Sequence, residues 1–319
     1  MEQKSLTSVI SALNKKYGEG TIQLYGKMKA VNIDRFSSGL PSLDLIIGGG
    51  IPEGRIMSIL GMEASGKTSL AITILAQAQK KYPNKKLAFL DIEHALSPDY
   101  ARTLGLDIDN IFLSQPDSAE GALEIMDALV SSGEFKVVVL DSVAQLTPNV
   151  ELTKEIGDAE FGARARLMGQ ALRKISPKAS KNKCTCIFIN QLRASMAMYG
   201  NPITSPGGKA LPYASSIVLH ASSKKIDEKT GETTIDVKKN KVGKPFGKTK
   251  VIIRYGLGFD LVQDIITTGL MTGVIKKSGP MISFADRKWK GEVAMREEVS
   301  GDQKLQKEIE EVIRNSTAE

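Results

Sequence analysis

The sequence has few of the residues that mark secreted, metal-binding or membrane-spanning proteins. Its 319 residues include two cysteines and two histidines, and aromatic residues make up 5%. Cys184 and Cys186 lie on a predicted strand, where we expect their side chains to point to opposite faces, so neither a disulfide nor a CxxC redox or zinc site is predicted. Apolar runs extend over only a few residues, whereas a spanning helix needs about 20. The N-terminus lacks the apolar stretch and cleavage site of a secretory signal, so we expect a cytoplasmic protein.

Acidic residues are missing from two long stretches of the chain. The formal net charge is +7, yet no Asp or Glu occurs in residues 161–226 or in residues 237–255. Such stretches suit contact with a polyanion such as nucleic acid, or with nucleotide phosphates, although a solvated basic face is the simpler alternative. The low aromatic content does not indicate a base-stacking platform of the kind found in many single-strand binders.

The order of predicted elements defines the fold class. Strands alternate with helices over residues 55–190, which predicts an α/β fold with a mostly parallel sheet covered on both faces. After residue 215 strands follow one another without long helices, and we expect them to extend the sheet in antiparallel fashion. We predict a helical N-terminal arm (1–30), an α/β core (31–260) and a small α+β C-terminal domain (261–319).

One motif predicts a specific chemistry. Residues 61–68, GMEASGKT, fit the pattern GxxxxGK[ST] between a predicted strand and a predicted helix, which is the context of a phosphate-binding P-loop. Backbone N–H groups and the positive end of the helix favour phosphate there. Lys67 would reach the β- and γ-phosphates, and the Thr68 hydroxyl would bind Mg²⁺. The predicted nucleotide contacts of this segment are Gly61, Glu63, Ala64, Ser65, Gly66, Lys67, Thr68 and Ser69.

Acidic residues at two strand ends complete the predicted hydrolytic site. The apolar strand VVVL ends in Asp141-Ser142, and Asp141 would hold Mg²⁺ through water, as in the Walker B pattern. Glu93 follows the strand LAFLDI, at the carboxyl edge of the sheet where ligands bind in such folds. We predict Glu93 as the general base that activates water. Asp91 is the alternative base, but we expect it to lie deeper or on another face.

These strings together resemble the bacterial RecA recombinases. The matching strings, in the family's order, are GMEASGKT, LDIEHALSPDYARTLGLDIDN, VVVLDSVAQLTP, EIGDAEFGARARLMGQALRK, IFINQLR and VKKNKVGKPF, and the likeness covers about residues 6–277. The resemblance implies a RecA-like P-loop ATPase core. It also implies a DNA-dependent ATPase that forms helical filaments on single-stranded DNA and catalyses homologous pairing and strand exchange in DNA repair.

The resemblance extends to cofactors and partners. It implies ATP and Mg²⁺ as cofactors, and single-stranded DNA, homologous double-stranded DNA and further copies of the chain as partners. Single-strand-binding protein, loading factors and a part in the SOS response belong to the same expectation. Residues 1–30 match the family's oligomerisation arm, which docks on the adjacent subunit.

Residues outside the P-loop match nucleotide-contacting and catalytic positions of the family. Glu93 matches the catalytic glutamate, and Gln191 matches the residue that couples nucleotide state to the following loop. Asp141 and Ser142 match the Walker B pair. Tyr100 matches an aromatic residue that stacks on adenine.

A second group of matches concerns neighbouring subunits in the filament. Lys239 and Lys241 match two lysines that reach the γ-phosphate of the neighbour's ATP. Tyr255 matches a residue near the neighbour's adenine. These matches imply that ATP lies between protomers, so that hydrolysis depends on assembly.

Two segments, residues 155–166 and 192–208, match the family's DNA-binding loops. The resemblance implies that arginines there meet phosphates, that methionines and a tyrosine wedge between bases, and that glycines offer backbone contacts. The implied DNA-binding residues are Arg164, Arg166, Arg173, Arg193, Met196, Met198, Tyr199, Gly207 and Gly208.

One departure and two alternative functions stay open at this point. Ser97 stands where the family often has Asp near the adenine amino group, which indicates a divergent member and leaves a phage origin open. A ring-forming motor on the same core is one alternative, and a non-catalytic filament that only coats single-stranded DNA is the other. The intact set of ATPase residues argues against the coat protein.

Overall fold

The computed structural model describes residues 5–24, 33–153, 155, 162–194, 203–204 and 206–316. The chain divides into two compact units, Met1–Asp34 and Arg35–Glu319. In the described part of the chain, none of the helices combines the length and the apolarity needed to cross a bilayer.

The described residues of the first unit contain one helix, α1 (Leu6–Tyr17). Ser5 caps it, because its hydroxyl oxygen accepts a hydrogen bond from the backbone N–H of Ser8 at 3.3 Å. Lys15 and Lys16 occupy the last turn, where positive charge is favourable. The role of this unit as an oligomerisation arm stays a prediction.

The second unit consists of helices and strands in an α/β arrangement. Its described helices are α2 (Pro41–Ile47), α3 (Lys67–Lys81), α4 (Pro98–Thr103), α5 (Ala119–Ser132), α6 (Asn149–Leu152), α7 (Ala163–Asn182), α8 (Ala210–Ala214), α9 (Leu261–Thr272), α10 (Gly291–Gly301) and α11 (Gln303–Ser316). Its described strands are β1 (Arg35–Phe36), β2 (Ile51–Pro52), β3 (Ile56–Gly61), β4 (Lys86–Asp91), β5 (Phe112–Ser114), β6 (Phe135–Asp141), β7 (Thr185–Gln191), β8 (Arg193–Ala194), β9 (Ile203–Thr204), β10 (Ile217–Lys225), β11 (Thr230–Asn240), β12 (Lys248–Arg254), β13 (Gly258–Phe259), β14 (Lys276–Ser278), β15 (Met281–Phe284) and β16 (Arg287–Lys290).

A nine-stranded sheet forms the centre of this unit, in the order β13-β12-β11-β10-β3-β7-β6-β4-β5. The strands from β10 to β5 are parallel, whereas β11, β12 and β13 join in antiparallel pairs. The RecA-like α/β fold predicted from the sequence is therefore confirmed. One detail differs, because β10 pairs in parallel with β3, and the antiparallel extension begins only at β11.

Both faces of the central strands are buried, as parallel sheets require. Every residue of β6 is buried, and its valines alternate between two separate apolar cores, one on each face. Cys186 on β7 and Cys184, the residue before that strand, have side chains that belong to the same core and are free thiols. The expected opposite orientation was wrong, because positions two apart in an extended chain share a face.

The parallel register brings the carboxyl ends of the central strands to one edge of the sheet. Gly61 at the end of β3 pairs with Gln191 at the end of β7, and Asp91 of β4 pairs with Asp141 of β6. Polar residues from three strands, β4, β6 and β7, therefore lie near the point where β3 continues into α3.

Two helices of this unit show how local contacts set their course. Ser118 caps α5, because its hydroxyl oxygen accepts a hydrogen bond from the backbone N–H of Gly121 at 3.1 Å. Helix α7 continues through Pro177 to Asn182. Proline normally disfavours a helix interior, but the packing of α7 on α5 overrides this local preference.

The C-terminal segment from α9 to α11 has a core of its own, built around Ile265, Trp289 and Ile309. The Trp289 indole N–H donates to Glu298 at 2.7 Å. Asp260, which caps α9, also accepts from Arg254 and Arg296, and so connects β12 with α10. Contacts of this kind hold the segment in the second unit, and the boundary at residue 261 stays a prediction.

Candidate nucleotide and DNA site

The loop between β3 and α3 has a backbone that only small residues allow. A Cβ on Gly61 would lie 2.4 Å from both the Ala221 carbonyl oxygen and the Ser65 hydroxyl. Gly66 has φ +81° and Ala64 has φ +54°, so the chain turns through the left-handed region before the helix. No side chain caps the first turn of α3, which leaves its backbone N–H groups available to an anion. The predicted P-loop residues therefore form a cradle that fits phosphate.

Lys67 places a buried positive charge inside this cradle. Its side chain is 7% exposed, and its ammonium donates to the Met62 carbonyl oxygen at 2.7 Å. Burial lowers the pKa of Lys67, against the opposing influence of nearby carboxylates. No described carboxylate lies within ion-pair distance of it, so a bound anion would supply the missing countercharge.

Thr68 and Asp141 meet directly, although 73 positions separate them in the sequence. The Thr68 hydroxyl donates to Oδ2 of Asp141 at 2.6 Å. Burial raises the pKa of Asp141 to about 6, with Glu93 and Asp91 acting in the same direction and the Thr68 hydrogen bond and Lys67 opposing. A hydroxyl and a carboxylate are oxygen ligands that Mg²⁺ prefers, and a cation there would favour the ionised carboxylate. The pair therefore fits a Mg²⁺ site.

The carboxylate of Glu93 is held by two strand-end residues. The Ser142 hydroxyl and the Gln191 side-chain amide both donate to its Oε1, at 2.5 and 2.8 Å. Its Oε2 receives no hydrogen bond from the described residues. This arrangement joins the ends of β6 and β7 to the loop after β4, and it leaves one carboxylate oxygen able to accept a proton.

Tyr100 lies beside the P-loop helix, as expected for a base-stacking residue. Its hydroxyl is 2.8 Å from the Ser69 hydroxyl. Ser97 caps α4 by accepting from the backbone N–H of Tyr100 at 3.3 Å. The Ser97 hydroxyl therefore caps the helix, in the position where the family often has a carboxylate.

Tyr255, which the resemblance places near a neighbour's adenine, lies at the P-loop end of its own chain, and its contact with a nucleotide stays a prediction. It follows β12, whose Ile253 approaches Gly66, and the turn after it packs at Gly258 against Leu104 at the end of α4. Tyr255 is 46% exposed. The turn therefore borders the Tyr100 side of the nucleotide cradle.

Lys239 and Lys241 lie at the other end of β11 and are not brought to the P-loop of their own chain. Both ammonium groups donate to the Tyr213 carbonyl oxygen, at 3.1 and 3.2 Å, and Lys239 also donates to Pro212 at 2.6 Å. Partial burial lowers the pKa of Lys239, and the neighbouring Lys241 adds to this. Thr230, the partner of Arg254, is nine positions away from Lys239, roughly 30 Å along the strand.

Two predicted DNA contacts, Arg166 and Arg173, lie on α7, and two more, Gly207 and Gly208, lie beside its first turns. Arg166 and Arg173 are exposed and form no ion pair with described residues. Gly207 and Gly208 have positive φ, and a Cβ on either would lie 2.9 Å from a side chain, Val143 or Ala165 respectively. The end of the second predicted DNA loop therefore packs against the helix that follows the first one.

The other predicted DNA contacts differ in what the structure says of them. The Arg164 side chain has partners within its own chain, because it donates to the Ala144 carbonyl oxygen at 2.9 Å and lies 3.9 Å from the Glu151 carboxylate. Arg193 is exposed on β8. Met196, Met198 and Tyr199 lie outside the described residues.

Two polar residues near the site, Gln115 and Asn190, were not predicted as contributors, and a third, Asp91, was considered only as the alternative base. Asp91, Gln115 and Asn190 are joined by hydrogen bonds to loops of the site, and Asn190 donates to the Pro206 carbonyl oxygen at 2.8 Å. Each lies at or just beyond the carboxyl end of a parallel strand. A search for polar residues at every strand end would have found all three.

The fold and this constellation define a P-loop nucleotide-binding protein, in which a strand-end carboxylate lies beside the P-loop threonine and a second, hydrogen-bonded carboxylate lies nearby. Comparison with known proteins narrows the class. The family model described as RecA N-terminal domain matches residues 4–260. The chain belongs to the RecA family.

Curated relatives agree over most of the chain. Protein RecA of Clostridium acetobutylicum is 46% identical over 292 residues, which are 89% of this chain and 82% of the relative. Protein RecA of Staphylococcus carnosus is 42% identical over 320 residues, covering 98% of this chain and 90% of the relative. Protein RecA of Thermus aquaticus is 42% identical over 295 residues, covering 90% and 86%. The family identified from the sequence is confirmed.

Proposed function

We propose that this chain hydrolyses ATP with Mg²⁺ between neighbouring copies of itself on single-stranded DNA, and uses this cycle for homologous pairing and strand exchange. Membership of the RecA family supports the general function: the chain is a DNA-dependent ATPase that acts as a recombinase in DNA repair, as predicted from the sequence. Nucleotide binding, DNA binding and self-association belong to that function. The observation that supports the finer proposal is the joined set of Thr68, Asp141, Glu93, Ser142 and Gln191.

In the proposed mechanism the P-loop N–H groups and Lys67 hold the phosphates, while Thr68 and Asp141 hold Mg²⁺. Mg²⁺ supplies positive charge that offsets the charge of the β- and γ-phosphates. Glu93 accepts a proton from the attacking water through Oε2, because Oε1 is occupied by its two donors. Gln191 contacts Glu93 and is followed directly by the second DNA loop, so this amide connects the hydrolytic centre with the DNA side.

Assembly would complete the nucleotide site. Lys239 and Lys241 are directed by the strand register away from their own P-loop, which supports their proposed contact with a neighbour's γ-phosphate. Their present partners are backbone carbonyl oxygens, which cost little to exchange for a phosphate. Tyr100 and Tyr255 would contact the base from the same chain as the P-loop.

The DNA path is proposed to follow α7 and the ends of the two loops. Arg166, Arg173 and Arg193 are exposed cations in the acid-free stretch, and Gly207 and Gly208 lie against Met168 and Ala165 of α7. Arg164 is proposed to hold the first loop in place by its bond to Ala144 as well as to meet phosphate. A cytoplasmic location, single-strand-binding protein, loading factors and the SOS response stay predictions.

Double replacement of Arg166 and Arg173 by alanine is expected to reduce the salt dependence of single-strand binding. Each neutralised phosphate contributes a slope of about −0.7 to log K against log salt, so the slope should become shallower by about 1.4. Anisotropy titrations of labelled oligo-dT at four salt concentrations measure it. The double variant Lys85→Ala, Lys86→Ala removes the same charge at the opposite edge of the sheet and should keep the slope. An unchanged slope in the arginine variant would place the DNA elsewhere.

The function itself is tested by ATP hydrolysis with and without single-stranded DNA over a titration of protein, with electron micrographs of the same samples. Stimulation that rises cooperatively with protein concentration, together with helical filaments, supports the proposal. Rings would favour the alternative motor, and filaments without turnover would favour the coat protein. A strand-exchange assay under the stimulated conditions completes the test.

A further inference from the structure

We propose that Asp91, together with Gln115, is the positioning residue that determines where Glu93 lies in the hydrolytic site. This inference rests on the proposed role of Glu93 as general base. It assigns to Asp91 neither the base role considered from the sequence nor a contact with the nucleotide, but the shaping of the loop that carries the base.

Asp91 closes the loop of Glu93 upon itself. It is 2% exposed at the end of β4, and its Oδ1 accepts from the backbone N–H of Ala95 at 3.2 Å. Its Oδ2 accepts from the backbone N–H of Leu96, also at 3.2 Å. His94, which directly precedes the two donating N–H groups, has φ +52°, a conformation that side-chain-bearing residues rarely adopt. The two bonds therefore link Asp91, before the turn around Glu93, to the backbone that follows the turn.

Gln115 fixes the Asp91 carboxylate in turn. Its side-chain amide donates to Oδ2 of Asp91 at 3.1 Å, and it follows β5, the edge strand beside β4. On the other side, the backbone N–H of Ile92 donates to the Asp141 carbonyl oxygen at 2.7 Å. The loop is thus attached to the strands on both sides of β4, and Glu93 is held between these attachments.

The bonding of Asp91 accounts for a carboxylate at this position. Three N–H donors converge on its two oxygens, and no described cation forms an ion pair with it. An asparagine would offer one oxygen only and would turn an N–H₂ group toward N–H donors. Both carboxylate oxygens of Asp91 therefore already accept hydrogen bonds from N–H groups. Asp91 is for that reason poorly suited to accept a proton from water.

Two variants of different severity test the role. Asp91→Asn removes an acceptor from the loop, whereas Gln115→Met removes only the supporting amide and keeps the volume. We expect DNA-stimulated kcat for ATP to fall by about tenfold or more in Asp91→Asn and by less in Gln115→Met, since displacement of a catalytic group by about 1 Å is costly. For Gln115→Met, the KM for ATP, the affinity for single-stranded DNA and the Tm should stay close to the values of the unsubstituted protein. Gln79→Met removes a comparable amide that bonds Asp107 away from the site, and should keep kcat.

A double-mutant cycle with Glu93→Gln separates positioning from other effects. If Asp91 and Gln115 act only through Glu93, adding Gln115→Met to Glu93→Gln should lower the residual rate by less than about twofold, because residues that act as a unit are not additive. A further large loss in the double variant, or an equal loss of nucleotide affinity in Gln115→Met, would overturn the proposal. So would an unchanged kcat in both single variants while Glu93→Gln is inactive. If Glu93→Gln itself keeps its turnover, the assignment of Glu93 as base is wrong, and the proposed positioning role of Asp91 and Gln115 is wrong as well.

Discussion

Replacement of Glu93 by glutamine is expected to lower the DNA-stimulated kcat for ATP hydrolysis by about 10²- to 10⁴-fold, the range that general acid–base groups contribute. Binding of ATP and of single-stranded DNA should change by less than about threefold. Glutamine can still accept from Ser142 and Gln191 through its Oε1, so the connection between the strand ends persists. Its amide nitrogen cannot take a proton from water in place of Oε2. Filaments should therefore accumulate in the ATP-bound state.

Single-turnover hydrolysis and equilibrium binding of a fluorescent ATP analogue, measured on one preparation, distinguish these effects. Glu134→Gln serves as the matched control, because Glu134 is exposed and lies between α5 and β6, at the opposite end of the sheet from the site. A variant in which nucleotide affinity falls as much as kcat would show that Glu93 supports binding, and the assignment as base would be wrong.

Replacement of Lys67 by alanine is expected to abolish measurable ATP turnover and to weaken nucleotide binding by about 10- to 100-fold, as hydrogen bonds to charged groups are worth about 1.5–3 kcal/mol. The reason is the buried ammonium in the P-loop, which has a backbone carbonyl as its nearest partner and no described carboxylate in ion-pair contact. The variant should also lose the nucleotide-dependent part of filament formation while keeping its fold.

Isothermal titration with ATP and Mg²⁺, together with circular dichroism, checks this result. Lys80→Ala is the matched control, since Lys80 is on the same helix but exposed at its far end, and it should bind and hydrolyse ATP as before. Unchanged turnover in the Lys67 variant would invalidate the P-loop assignment, whatever the family.

The sequence was sufficient for those parts of the site that depend on local order along the chain. Lys67 and Thr68 are positioned by a contiguous strand, loop and helix, and Glu93 and Asp141 each follow an apolar run that could only be a buried strand. Because parallel strands end at one edge, their meeting followed from strand order alone. The hydrogen bonds of 2.5 to 2.8 Å among Glu93, Ser142 and Gln191 agree with this expectation.

The remaining features depend on pairings that local patterns do not contain. Asp91 and Gln115 meet because β5 pairs with β4, and no sequence motif in either strand predicts that pairing. The place of Tyr255 follows from the register of β12 on β11, and the resemblance alone did not indicate that it lies at the P-loop end of its own chain. The three short strands of the C-terminal segment are only 3 or 4 residues long, and β14 and β16 are mostly charged, so their apolar alternation is too short to reveal them.

Tyr255 lies beside the Thr230 end of β11 and Lys239 lies near the other end of that strand, and this separation has a consequence for stoichiometry. In the proposed assembly each chain contributes the P-loop and the tyrosines to one nucleotide, and the two lysines to the next. An open row of n chains then contains n − 1 complete sites, and one terminal chain always has a cradle without lysines. Turnover per chain should therefore rise as (n − 1)/n, which makes short rows poor enzymes and gives the two ends of every row different chemistry.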